Sequence, residues 1–121
     1  MLEGLNFRLD VRFYRTARGL EPARDWLMHL PLTDRKAIGD DIRMVQLKWP
    51  IGMPLVRKMD AGLWEVRSDL DQRIARILFT VVDREMIVLH GFIKKSRIAS
   101  TTDLDTARRR LRAVQHEASR R

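Results

Sequence analysis

Apolar and polar residues alternate from Leu9 to Thr16, in LDVRFYRT, with Val11 and Phe13 on one side and Arg12 and Tyr14 on the other. That period of two predicts a short opening strand at a sheet edge, broken by Gly19. The period then changes. In EPARDWLMHLP, Ala23, Trp26, Leu27 and Leu30 fall on one helical stripe, Pro22 fits the first turn, where its missing N–H costs nothing, and Pro31 stops the helix. In TDRKAIGDDIRMVQLKWP, Ile38, Ile42, Val45 and Trp49 recur at helical spacing, with Thr33 as the cap and Pro50 as the end. These two segments predict a helical hairpin with one apolar seam, in which Trp26 belongs to the core.

After a connector at residues 51–62, three strands are predicted: LWEVRS, QRIARILFTVV and EMIVLHGFI, the last two joined by a turn at Asp83 and Arg84. Those two are nearly continuous in apolar character, which places them centrally in the sheet with both faces covered. A final helix, TTDLDTARRRLRAVQHEA, is capped by Thr101, Thr102 or Asp103. Leu104, Ala107, Leu111, Val114 and Ala118 form its apolar stripe, and Arg108, Arg109, Arg110 and Arg112 cover its other faces. The layout is an α+β fold in one domain, residues 1–121, with frayed ends. Its expected sheet is small, mixed and mostly antiparallel, of about four strands. The first strand is free to lie parallel beside the last, and the helices are expected on one side.

Composition narrows the class. Hydrophobic residues make up 45% of the 121, enough for a real core at this size, and there is no cysteine, so disulfides and thiolate metal sites are excluded. No apolar run approaches a membrane span and the first ten residues do not read as a signal peptide, so the expectation is a cytoplasmic protein with no membrane partner. Net charge is +8, carried by 19 arginines against 5 lysines. Arginine's planar fork of donors suits phosphate oxygens, and a small basic protein attracts polyanions, so nucleic acid is the expected partner.

Sequence motifs remove several chemistries. There is no phosphate-binding glycine-rich loop, no HExxH and no nucleophile elbow. His29, His90 and His116 are dispersed, so neither a metal nor a cofactor is expected. Asp34, Asp40 and Asp41 crowd the first half of the second helix, which suits a groove-reading helix-turn-helix poorly.

The basic residues do fit RNA cleavage without a metal. The ribose 2′-hydroxyl attacks the adjacent phosphate, and Lys, Arg and His side chains accept its proton, stabilise charge on phosphorus and assist the leaving 5′-oxygen. Lys58, Arg67, Arg76, His90 and Lys94 are the candidate catalytic residues. Arg57, Arg73, Lys95, Arg97, Arg108, Arg109 and Arg112 are the candidate RNA-binding residues. Arg76 interrupts an apolar strand and needs a partner or a cleft; Arg67 has Glu65 and Asp69 as neighbours to pair with. A strict two-residue turn at Asp83 and Arg84 sets Ile77 against His90, putting Arg76 and His90 on opposite faces. A turn one residue longer puts them on the same face.

GLWEVRSDLDQRIARILFTVVDREMIVLHGFIKKS, followed by DLDTARRR, resembles the HigB-like branch of the RelE/ParE toxin superfamily, including its phage-derived members. The resemblance rests on Leu63, Trp64, Glu65, Val66 and Arg67; on Arg76 within ARILF; on Leu89, His90, Gly91, Phe92, Lys94 and Lys95; and on Ala107 with Arg108. It implies a RelE-like fold and a toxin of a type II toxin–antitoxin system that cleaves mRNA on ribosomes. It also implies a cognate antitoxin with a helix-turn-helix domain, and a homodimer is left open. Within it, Arg67 and Arg76 would clamp phosphate, Lys58 or His90 would move the proton, and Lys94 and Lys95 would position the backbone. The chain departs from RelE in lacking a tyrosine near its C-terminus: its one tyrosine is Tyr14. Other readings stay open: a basic RNA- or ribosome-binding module without cleavage, or, as in ParE-like relatives, inhibition of DNA gyrase.

Overall fold

The computed structural model describes residues 8–94 and 101–120. In chain order the elements are β1 (Asp10–Phe13), α1 (Pro22–Met28), α2 (Leu32–Lys48), β2 (Val56–Asp60), β3 (Leu63–Leu70), β4 (Arg73–Val82), β5 (Glu85–Lys94) and α3 (Thr101–Ser119). One open sheet of five strands runs β1-β5-β4-β3-β2. β1 lies parallel to β5, and every other neighbouring pair is antiparallel. The parallel pairing of the first strand beside the last, and the central place of β4 and β5, match the apolar pattern.

The fifth strand is a correction. The expected connector contains β2, whose sequence VRKMD carries three charges and exposes Arg57, Lys58 and Asp60. An edge strand of this composition is invisible to a search for apolar alternation, and its charges discourage pairing with another sheet. A tight turn returns it to β3: Gly62 takes φ +73°, a left-handed conformation that glycine adopts without strain, and the Asp60 carboxylate accepts from the Ala61 N–H at 2.8 Å.

The helix arrangement also differs from the expectation. α1 and α2 cover one face, which we call the hairpin face. There Ile38, Ile42 and Val45 meet Val66, Ala75, Ile77, Phe79, Met86 and Val88. α3 covers the opposite face, where Ala107, Leu111 and Val114 meet Leu63, Leu78, Ile87 and Leu89. Burying both faces is what the unbroken apolar runs of β4 and β5 require. Trp26 belongs to the hairpin-face core, as expected, and its ring lies so close over Gly91 that a Cβ added there would clash with it. The cap assignments shift too: Thr33 lies inside α2, whose cap position is Pro31, and Thr101, Thr102 and Asp103 lie within the first turn of α3.

β4 and β5 join through a strict two-residue turn, since Val82 pairs with Glu85. The register then slips by one between the Leu78–His90 and Phe79–Val88 pairs, leaving Leu89 as an extra residue in β5. Up to Val88, the odd residues of β5 face α3; beyond the bulge, the even ones do. His90 and Phe92 therefore share a face with Arg76.

Candidate active site

The bulge settles which residues meet. Arg67 pairs directly with Arg76 across β3 and β4, Arg76 pairs with Phe92 across β4 and β5, and Arg57 pairs with Glu65 across β2 and β3. All of these positions lie on the α3 side of the sheet. Two guanidiniums opposite one another repel. Glu65 offsets one of them: its Oε1 accepts from Arg76 Nη1 at 2.7 Å. The pair is buried, with the Glu65 side chain 2% and the Arg76 side chain 11% exposed. Adjacency in sequence suggests Glu65 for Arg67, whereas cross-strand geometry gives it to Arg76.

The Nε atoms of Arg67 and Arg76 are both buried and donate to nothing among the described residues. A buried charged donor without an acceptor is costly and needs an explanation, of which a ligand oxygen is one. Asp34 Oδ2 and Arg35 Nε on α2 are likewise buried without a partner among the described residues. The two lie on directly opposed strand positions, and a phosphate presents several acceptor oxygens to such a pair.

His90 is held from both sides. Its Nε2 lies 2.6 Å from Asp103 Oδ1 in the first turn of α3. Arg110 Nη1 lies 3.4 Å from its Nδ1 and donates to the Leu89 carbonyl at 2.7 Å. A guanidinium only donates, so Nδ1 is the acceptor and Nε2–H donates to Asp103. The ring stacks on Phe92, centroids 5.9 Å apart. Arg110 also sits 5.4 Å from the centroid of the Tyr14 ring, and its burial holds its pKa below the ordinary arginine value. Tyr14, Arg110, the bulge carbonyl, His90 and Asp103 thus tie β1, β5 and α3 together. In the sequence Asp103 reads as a cap and Arg110 as part of a solvated face. The signal that could have found them is spacing, since 103, 107, 110 and 114 follow the apolar stripe.

Other predicted residues separate. Lys58 alternates with Arg57, pairs with Trp64 and leaves the sheet on the hairpin face, away from the arginine pair. Arg73 is also on the hairpin face, where its Nη2 donates to the buried Asp34 at 2.9 Å. That hydrogen bond raises the pKa of Arg73 and makes it a pin between α2 and the β3–β4 hairpin. Lys94, opposite Ile74, follows Phe92 on the α3 side and is half-buried. Arg57, Arg109 and Arg112 are exposed. Arg108 pairs with Asp60 at 3.5 Å and Asp105 at 3.9 Å. Lys95 and Arg97 lie outside the described residues.

An open cleft of about 500 Å³ reaches Arg67 from the other side, between Ala37, Asp40 and Asp41 of α2, Pro54 and Leu55, and Asp69 of β3. Its three carboxylates make it a poor place for a phosphate. Among the described residues no three or more His, Cys, Asp or Glu side chains are placed to hold a metal ion.

Residues 25–112, about three quarters of the chain, match the family model described as "Phage derived protein Gp49-like (DUF891)". The chain belongs to this family. The Gp49-like family is a RelE/HigB-type toxin family, which agrees at that level with the resemblance in the sequence. The matched span of this Gp49-like chain begins within α1 and ends within α3, so it contains Glu65, Arg67, Arg76, His90, Asp103 and Arg110, and leaves out β1. No curated protein matches the chain. Among the described residues no helix is long and apolar enough to cross a membrane.

Proposed function

We propose that this Gp49-like protein is the HigB-type toxin of a type II toxin–antitoxin system, acting in the cytoplasm as a metal-independent endoribonuclease on ribosome-bound mRNA. The observation that carries the reading is the opposed Arg67–Arg76 pair, with both Nε donors buried and unengaged. In this reading the two guanidiniums hold the scissile phosphate and stabilise the charge that builds on phosphorus as the 2′-hydroxyl attacks. Lys94, on the same side, protonates the departing 5′-oxygen, and the proton of the attacking 2′-hydroxyl passes to water. His90, with both ring nitrogens engaged, fixes the start of α3 instead of moving a proton. Arg109 and Arg112 are exposed and add non-specific attraction for RNA. An antitoxin with a helix-turn-helix domain is the expected partner.

The test uses purified protein and an mRNA in a translation reaction. The products should end in 2′,3′-cyclic phosphate, and a single 2′-deoxy substitution at the cut site should stop cleavage there. Cleavage that persists at a deoxy position would exclude the mechanism. One observation favours a second reading, a module that binds RNA without cutting it: the site's histidine is held on both ring nitrogens, by Asp103 and Arg110. RNA binding with no products in the same reaction would establish that reading.

A further inference from the structure

We infer that Glu65 is a positioning residue, which holds Arg76 by its Nη1 so that the rest of the guanidinium is set for the scissile phosphate; this rests on the nuclease reading above. Glu65 sits on β3 opposite Leu78 and is itself almost wholly enclosed, so it does not reach substrate. It holds Arg76 by a single bond to Nη1, which leaves Nε and the rest of the fork for another acceptor. A carboxylate at this spot has a reason beyond pairing. Arg57 pairs in register with Glu65 and Arg67 with Arg76, so three arginine positions surround one carboxylate on one sheet face. Without Glu65, Arg76 would swing away from Arg67 toward solvent. With it, the two arginines stay on opposed positions before RNA arrives, and the reorientation cost is removed from the reaction step.

The role predicts a split between binding and turnover. Glu65→Ala removes a negative charge beside the phosphate path, so RNA affinity should hold or rise, while the freed Arg76 costs kcat on the order of a hundredfold. Glu65→Gln keeps an oxygen that accepts from Nη1, so it should recover much of that loss. Glu65→Asp, one methylene shorter, should draw the guanidinium back and recover less than Gln.

The experiment measures kcat and KM for cleavage of an mRNA on programmed ribosomes, the affinity for a fluorescein-labelled 12-nucleotide RNA by anisotropy, and thermal unfolding of each variant. The order wild type, Gln, Asp, Ala in kcat with unchanged or tighter RNA binding supports the inference. Wild-type kcat in Glu65→Ala overturns it, as does a loss of kcat and RNA affinity together in step with the folded fraction. If Glu65→Ala does not fold, the Gln and Asp variants decide: equal kcat in the two overturns the inference. A wild-type protein that cuts nothing overturns the nuclease reading and this inference with it.

Discussion

Removing the Arg76 guanidinium leaves the Glu65 carboxylate buried with no cation bonded to it. Breaking such a pair from one side typically costs about 3–5 kcal/mol, much of it the penalty of the stranded charge. Arg76→Ala should therefore lower the unfolding free energy by that order in denaturant titration, and Glu65→Ala/Arg76→Ala should recover part of it. A sum of the two single losses in the double variant would contradict the pairing. Arg67 has no such tether among the described residues, so Arg67→Ala should lose cleavage while keeping most stability, which makes it the cleaner inactive control. His90 gives a second test. Because Asp103 and Arg110 occupy its nitrogens, His90→Gln should keep the shape of the pH–rate profile and lose mainly stability. Loss of one limb of that profile would restore His90 as an acid or base. Arg76 is legible in the sequence, since a charge inside an apolar strand needs a reason; its pairing opposite Arg67 is not. Nor is its partner Glu65, because sequence adjacency favours Arg67.

The bulge at Leu89 is not legible either. Nothing in EMIVLHGFI marks it, and the strict turn at Asp83 and Arg84 argues for the opposite face. Arg110 supplies the physical reason for it: its guanidinium binds the Leu89 carbonyl, an interaction across 21 residues of sequence that no local pattern reveals. β2 escapes for a different reason, its charge, and the side chosen by α3 escapes because an apolar stripe does not say which face it covers. The apolar runs, the turns and the helical hairpin are readable because each is a local signal. Packing of α1 on β5 makes a separate prediction. Gly91→Ala drives a methyl into the Trp26 ring, so it should cost about 1–3 kcal/mol by thermal unfolding, as overpacking does. Trp26→Leu in the same chain should relieve it, and no relief would mean that Trp26 is not the obstacle.

A net charge of +8 on 121 residues gives the protein a long-range pull on polyanions. Arg109 and Arg112 carry part of that field from the exposed side of α3. Replacing both with glutamine should weaken RNA binding and flatten its salt dependence, by about 0.7 in log–log slope for each phosphate left without its arginine, while kcat is unchanged. A fall in kcat would move these arginines into the site. The central proposal is that this Gp49-like chain is a cell-arresting RNA cutter, and that claim has one direct measurement. The protein is induced in a bacterial host and new RNA 5′ ends are mapped across the transcriptome, with folded Arg67→Ala as the control. Growth arrest with fresh cuts inside translated regions, absent from the control, is the predicted result. Soluble, folded protein that yields no new ends, or cuts that persist in Arg67→Ala, would contradict it.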